Sequence, residues 1–507
     1  MLVRCSSRKC GISALSPSHS RVILARRCWS SSPPRQQQQQ PQRHDGPEIY
    51  DVVCVGGGPA GLALTTALRA NERTSRLKIA LIDGQDLHAG RAQFAAIKGY
   101  ANRCSSLTPA SAGFLDKIGA WQHVDQTRVQ PYSHMKVWDG VSGSSINFDP
   151  LQMQQSSILN LLFPQPATQT RDNTIATMTE NGNLTSGLLS RLETLPAIDM
   201  LPKTRVESIE LGSDDGQTDF SSWPILTLPT SRRIAARLLI GADGFNSPVR
   251  TFAGIQSRGW DYDRHGLVAT LKLSHPPQHL TAYQRFLPTG PVAFLPMPNS
   301  TATLVWTTTP TFAAKLKRLP PADFTAMVNA AFRLLPIDIE YMLSSMPDQG
   351  QAEEVSWRLP ATRVDRSLVP DPIIGVQDGS VASFPLRMRH ADTYIGSRVA
   401  LVGDAAHTIH PLAGQGLNQG LADAAALAEA IDYALGVGWD IGGPWALDRY
   451  NAARWGANSA MCGAVDKLHK LYSAGSGPVV WARSLGLDLV NRADWAKGFF
   501  MRAASGR

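Results

Sequence analysis

Cysteine is scarce in this chain: there are six in 507 residues, and none forms a C-x-x-C pair. Three of them (Cys5, Cys10, Cys28) fall in the first 30 residues, leaving Cys54, Cys104 and Cys462 for the body. That usage excludes a disulfide-built fold and a dithiol reductase centre, and predicts a reducing compartment. No stretch of 18 or more residues is uninterruptedly apolar, so no membrane-spanning segment is predicted. Acidic residues are absent from positions 1–44, where eight basic ones stand among many serines. Removing those eight leaves 41 basic residues against 41 acidic ones. The body is therefore neutral, with no basic surplus for nucleic acid. No Ser/His/Asp set or carboxylate pair is evident. His407 and His410 lie three apart with no third ligand in view, so no metal is expected.

What is present concentrates at residues 403–420. Arg398-Val399-Ala400-Leu401-Val402 reads as a buried strand ending at Gly403, which leaves Asp404 at its carboxyl end. Open α/β sheets bind ligands at that end. After Pro411, the turn Gly414-Gln415-Gly416 opens a helix with apolar positions at Leu417, Leu421, Ala424, Ala428, Ile431 and Leu435. That alternation of four and three predicts one buried face. A helix N-terminus bare of side chains suits a developing anion. The N1–C2 carbonyl edge of a flavin ring becomes one on reduction, and a ribityl hydroxyl needs an acceptor such as Asp404.

A second motif stands upstream. The strand Tyr50–Val55 runs into Gly56-Gly57-Gly58-Pro59-Ala60-Gly61, then a helical stretch, then the strand Leu77–Ile82 ending at Asp83. This is G-x-G-x-x-G in its required setting, with an acid about 20 residues beyond its last glycine. Gly56 makes the turn, Gly58 lets the backbone meet a pyrophosphate, Gly61 lets helix and strand pack, and Asp83 would hold ribose hydroxyls. No second such motif has this context, which argues against a reductase with two dinucleotide domains. The third piece, Arg237–Arg250, reads as strand, Asp243-Gly244 turn, and a helix capped by Ser247 with Pro248 at its first position.

In this order the three pieces resemble the FAD fingers of the class A flavoprotein monooxygenases, the aromatic hydroxylases. Ala101–Thr108, Tyr283–Pro291 and His410–Asn418 resemble the mitochondrial branch of the ubiquinone-biosynthesis hydroxylases, a likeness spanning roughly residues 48–500. Two departures stand out: Asp83 occupies a position where that family often has Glu, and residues 151–175 look like an insertion loop. The resemblance implies an FAD-dependent enzyme that hydroxylates C5 of a polyprenylated 4-hydroxybenzoate-type precursor. Reduced flavin would trap O2 as an electrophilic C4a-hydroperoxide. It carries cofactor contact to Gly56, Gly58, Pro59, Ala60, Gly61, Asp83, Arg103, Asp243, Gly403, Asp404, Pro411, Gly414, Gly416, Leu417 and Asn418.

The fold class expected is α/β: a discontinuous Rossmann-like FAD domain, an inserted β-sheet substrate domain and a helical C-terminal region. Residues 1–47 would be a mitochondrial transit peptide and a disordered Gln/Pro-rich spacer. Residues 48–258 would be the first part of the FAD domain, 259–394 the substrate sheet and helices, 395–440 the last finger, and 441–507 the helical end. Strand-like runs at 267–271, 283–287, 292–295 and 302–306 predict hairpins, with Arg285, Phe286, Phe294 and Leu295 as pocket candidates. Residues 320–346 read as helical, with Asp323 capping and Phe324, Met327, Val328, Ala331 and Leu335 on one face. The basic, apolar helical end suggests a surface for a membrane or for partner subunits.

The expected partners are the phenolic substrate, O2, an electron donor (ferredoxin with its reductase, or NAD(P)H) and other subunits of a coenzyme Q synthesis complex. The expected address is the matrix face of the mitochondrial inner membrane. Two other readings stay open at this stage. One is an FAD-dependent reductase or oxidase of an isoprenoid; the other is a non-catalytic subunit that keeps FAD only structurally.

Overall fold

The computed structural model describes residues 46–483 apart from 150–173, 215, 217, 278–279, 412–413, 474–476, 478–479 and 481–482. The leader, the glutamine-rich spacer, nearly all of the expected insertion loop and the last helical stretch lie outside the described residues.

The apolar run at 50–55 becomes β1 (Glu48–Val55), buried from Val52 onward. An uninterrupted apolar strand needs a layer on both faces, as in a parallel sheet. It pairs in parallel with β2 (Ile79–Ile82) on one side and with β11 (Arg232–Gly241) on the other, Val53 standing opposite Ala80 and Leu239. β19 (Val399–Leu401) adds in parallel to β11, with Leu239 opposite Val399. Four strands distant in sequence therefore end side by side. β8 (Asp199–Leu201), β9 (Ser208–Leu211), β10 (Pro224–Leu228) and β18 (Ile395–Gly396) complete this sheet.

Helix α1 (Pro59–Ala70) leaves the glycine turn with no side-chain cap. α2 (Leu87–Ala95), α3 (Pro109–Lys117), α4 (Asn181–Glu193) and the short α5 (Pro248–Phe252) follow in the same part of the chain. Ser247 caps α5 by accepting from the Arg250 N–H, with Pro248 next, as expected.

The second sheet contains β12 (Ser257–Leu273), β13 (Thr281–Leu287), β14 (Gly290–Met297), β15 (Thr301–Thr308), β16 (Ile373–Val376), β17 (Ala382–Ala391) and β20 (His407–Thr408). Two earlier strands, β5 (His134–Asp139) and β6 (Ser145–Phe148), join it through a parallel pairing of β5 with β13. One part of the chain thus contributes to both sheets. Its back is covered by α6 (Pro310–Arg318), α7 (Pro321–Arg333), α8 (Pro336–Ser344) and α9 (Gln351–Ala361), around buried Trp306, Phe324, Met327 and Phe332. A three-stranded sheet of β3 (Cys104–Leu107), β4 (Gln130–Tyr132) and β7 (Ala176–Glu180) lies on the front.

Two expectations for 320–346 change. Pro336 breaks the stretch into α7 and α8, because proline cannot continue a helix from the preceding turn. Leu335, expected on the buried face, falls at that break and is 56% exposed. Asp323 does not cap its own helix. Its carboxylate instead accepts from the Gly350 and Ala352 N–H groups (3.1 and 2.7 Å), capping α9.

α10 (Gln415–Gly436) packs on α1, and α11 (Pro444–Tyr472) packs on α10. Among the described residues no helix is long and apolar enough to cross a membrane.

Candidate functional site

The carboxyl ends of β1, β2, β11 and β19 converge, and the contacts between them are backbone contacts that only glycine permits. Gly56 has φ +110°, and a Cβ there would lie 2.2 Å from the Ala242 carbonyl oxygen. A Cβ on Gly61 would lie 2.0 Å from the Gly56 oxygen. The first two fingers therefore touch. Gly58 differs: nothing lies within 4 Å of where its Cβ would be. An uncapped helix end thus faces open space, as a pyrophosphate requires. The third finger joins through small residues. Cβ atoms built on Gly403 and on Gly420 would each be 3.4 Å from that of Ala60. Arg250 ties the second finger to the third, donating to the Ala405 and Phe245 carbonyls at 2.7 and 2.8 Å.

Three carboxylates stand at this junction. Asp83 accepts from the Gly57 and Gln85 N–H groups, both at 2.6 Å, so it braces the glycine turn while keeping further lone pairs. Asp243 accepts from the Val249 N–H at 3.2 Å through one oxygen. Its other oxygen, Oδ1, is buried with no hydrogen-bond partner. Such a group asks for a donor from outside the chain. Asp404 makes no protein hydrogen bond among the described residues and keeps accessible surface, yet it is ringed by protein. Desolvation raises both the Asp243 and Asp404 carboxyls above the usual range. Exposure together with a raised pKa describes a carboxylate on the floor of a cleft. An orphaned acceptor, a free one and an open helix end fit a dinucleotide with hydroxyl groups.

The last finger is held from behind by a network absent from the sequence reading. Buried Asp423 on α10 accepts from the Gly403 N–H (3.1 Å), His407 Nε2 (2.5 Å), Arg454 Nε (2.9 Å) and Asn458 Nδ2 (3.0 Å). The only sequence signal is an acid among alanines on an otherwise apolar helix face. His410 is buried against the rings of Tyr262 and His469, at 4.9 and 4.8 Å, and burial pushes its imidazole down to about 3. It is therefore neutral. Among the described residues no group of His, Cys, Asp or Glu could hold a metal ion.

Gly414 caps α10 with φ +61°, a left-handed turn with no side-chain cap, and its own N–H donates to the Pro411 carbonyl at 3.0 Å. Asn418 fastens this turn to β3, donating to the Ser106 and Gly414 carbonyls and accepting from the Thr108 N–H at 2.9 Å. Gly416 and Leu417 follow in the first turn and Pro411 precedes it. Ser106 shares a 2.9 Å hydrogen bond with the Tyr132 hydroxyl, putting two hydroxyls beside the turn. Arg103 is exposed with no side-chain partner among the described residues, and its carbonyl accepts from Asn181 at 2.9 Å. The preceding loop is fixed by buried Glu180, which pairs with Arg128 and accepts from the Ala101 N–H.

The four pocket candidates divide between the faces of the second sheet, because neighbouring strand residues point opposite ways. Phe294 packs into the helical layer against Phe332. Arg285 points the same way, donating to the Ala331 carbonyl at 3.0 Å, and desolvation lowers its guanidinium to about 10. Both lie away from the fingers, contrary to expectation. Leu295 and Phe286 are on the front, Leu295 beside Cys104 and Tyr132. Also on the front, one cross-strand row runs Ala382, Val268, Val305, Ala293, Gln284, Val137. At about 4.8 Å per strand it is roughly 24 Å long. All but Gln284 keep accessible surface.

A parallel sheet whose three loops frame a dinucleotide cleft, faced by an antiparallel sheet with an uncharged wall, defines an FAD-dependent aromatic hydroxylase. Solved structures share the fold: p-nitrophenol 4-monooxygenase PnpA from Pseudomonas putida (TM-score 0.61, 18% identity, 91% of this chain and all of that one). HpxO of Klebsiella pneumoniae, complexed with FAD and uric acid, is another (TM-score 0.58, 15% identity, 90% and 97% covered). The FAD binding domain family matches residues 100–463. "Ubiquinone biosynthesis monooxygenase COQ6, mitochondrial" of Schizosaccharomyces pombe is 39% identical, with 89% of this chain and 91% of that protein covered. The protein of the same name from Saccharomyces cerevisiae is 37% identical with 96% and 99% covered. The Homo sapiens one is 33% identical over the whole of both chains. The chain belongs to the ubiquinone biosynthesis monooxygenase family; it is a flavin monooxygenase with FAD as its cofactor. Such an enzyme uses O2, a phenolic substrate and a reductant.

Proposed function

We propose that the protein hydroxylates C5 of the aromatic ring of a polyprenylated 4-hydroxybenzoate-type precursor of ubiquinone. The observation that carries this reading is the long, uncharged row from Ala382 to Val137 on the face turned toward the three fingers. An apolar wall of that length suits a ring bearing an isoprenoid chain. In this reading the open end of α1 at Gly58, Pro59, Ala60 and Gly61 receives the pyrophosphate, and Asp83 holds a ribose hydroxyl. Asp243 Oδ1 and Asp404 accept from hydroxyls of the cofactor, and Arg103 contacts it from the opposite loop. The N-terminal turn of α10 around Gly416 and Leu417 takes its pyrimidine carbonyl edge, while Pro411, Gly414 and Asn418 set that turn. When bound, FAD supplies two-electron activation of O2. The chain orients the ring and excludes water, with Leu295 and the row as wall and the Ser106–Tyr132 hydroxyls as polar contacts.

With a single dinucleotide fingerprint in the chain, reducing equivalents arrive from outside, from ferredoxin and its reductase or from NAD(P)H. The enzyme works in the mitochondrial matrix, peripherally on the inner membrane with other subunits of a quinone-synthesis complex. The relatives carry "mitochondrial" in their names, and the acid-free leader supports that address.

The test is turnover of the FAD-loaded enzyme on a prenylated 4-hydroxybenzoate under ¹⁸O2. One labelled oxygen per product is expected. Turnover without label would leave a reductase or oxidase of an isoprenoid. A Gly416→Trp variant that binds no FAD yet restores quinone synthesis in cells would leave a non-catalytic subunit.

A further inference from the structure

One end of the uncharged row is Ala382 on β17, the strand whose far end pairs with β20 at Arg389 and His390. The group that closes the other end comes from the far end of the chain. Phe286 on β13 stacks on Tyr472, the last residue of α11, with ring centroids 3.8 Å apart and planes 19° from parallel. Ile146 is buried with them, and Val137, where the row ends, packs against the same cluster. α11 contains 29 residues, about 43 Å of helix, and reaches from the Asp423 network beside the third finger to β13.

Tyr472 is pinned there. The Arg483 guanidinium donates to the Leu471 and Tyr472 carbonyls at 3.1 and 3.3 Å, satisfying the end of α11. It also donates to both oxygens of Asp139, at 2.9 and 3.0 Å. The two side chains are 1% and 0% exposed. A buried ion pair adds little stability over apolar residues of equal volume, so what it contributes is a fixed arrangement. Burial pushes the Tyr472 phenol up to about 12, so the ring is an uncharged surface.

We propose that Tyr472, positioned by the Arg483–Asp139 pair, is the wall that keeps water from the β5–β6 end of the cleft, and so determines how far O2 reduction is coupled to ring hydroxylation. The inference rests on the hydroxylase reading above. In the coupled reaction, ring C–H and O2 take up two electrons and two protons. One oxygen forms the new C–OH bond and the other leaves as water. Where water enters, the same two electrons and two protons reduce O2 to H2O2 and the ring is unchanged.

The experiment uses full-length, FAD-loaded protein, reduced without air by one equivalent of dithionite. It is then mixed with O2 and 4-hydroxybenzoate bearing a short prenyl chain. Tyr472→Ala should lose roughly five-fold in product per flavin with a matching rise in H2O2, at unchanged FAD content, with a lower melting temperature from emptying a packed aromatic site. Tyr472→Phe should recover the yield, and Arg483→Ala, which unfastens the ring, should fall between. Iodide quenching of bound-flavin fluorescence reads the opening without turnover and should rise roughly three-fold in Tyr472→Ala. Unchanged quenching, an unchanged product yield, or a product loss that tracks FAD loss each overturns the inference. A wild-type protein that makes no product refutes the hydroxylase reading instead, and the quenching result still decides the wall.

Discussion

His407 Nε2 lies 2.5 Å from the carboxylate of Asp423, sixteen residues away, and both side chains are out of water. The third finger thus hangs from a carboxylate well inside α10, beyond the first turn proposed to face the cofactor. Removing one partner of a buried charged cluster leaves the others unpaired, at a cost of roughly 3–5 kcal/mol. Asp423→Ala should lower unfolding free energy by about that amount and release FAD, measured by urea titration and by the bound-flavin spectrum.

The same carboxylate should make the fold acid-sensitive. Burial alone would raise it, but the charge and hydrogen bond of His407 and Arg454 outweigh burial and bring it down to about 2. A carboxyl lowered in the folded state stabilises the protein above its unfolded value near 4, and that stability is lost as pH falls toward 2. Asp423→Asn should flatten the stability profile between those limits, and an unchanged slope would contradict the assignment.

Asp404 has the opposite sign. Its carboxyl is raised by desolvation, so ionising it costs the apoprotein stability as pH rises past the ordinary carboxylate value. Asp404→Asn should stabilise the cofactor-free protein at pH 7 while weakening FAD binding about ten-fold, the scale of one hydrogen bond to a charged group. Calorimetry of the apoprotein and a flavin titration separate the two effects.

The glycines of the first finger should not behave alike. Gly61→Ala places a methyl on the Gly56 carbonyl and should destabilise the apoprotein. Gly58→Ala meets open space. Its apoprotein should melt within about 0.5 kcal/mol of the wild type, the range of harmless surface changes. Its FAD affinity should still fall, because the methyl stands where the pyrophosphate approaches.

Adjacent residues on β14 give a test of face. Phe294→Ala should cost about 3–5 kcal/mol of stability, as expected for emptying a packed aromatic site, with KM unchanged. Ala293→Phe should leave stability nearly intact and raise KM, since the added ring enters the cleft.

Much of the site is legible without coordinates because each finger is a local device. Gly56 to Gly61 lie between an apolar strand and an apolar helix, and Ser247-Pro248 and Gly414-Gln415-Gly416 start helices by capping rules that act over a few residues. Apart from the helix break at Pro336, the misreadings are long-range. Asp323 reads as a cap for the helix containing it, yet serves one that starts 28 residues later. Arg285 and Phe294 sit in a strand pattern apolar on both faces, which does not reveal the face turned to the fingers. Nothing near residue 139 announces that β5 pairs with β13, or that Asp139 meets Arg483.

By itself the sequence determined the three cofactor loops, the helices they open and the class of enzyme they imply. These follow from backbone conformation and from spacing within one turn or one strand. Only the tertiary structure decided which loops touch, which face of the second sheet is turned toward them, and that the end of α11 stacks on Phe286. Those outcomes depend on packing and on the desolvation of groups hundreds of residues apart, and such terms exist only once the chain has folded.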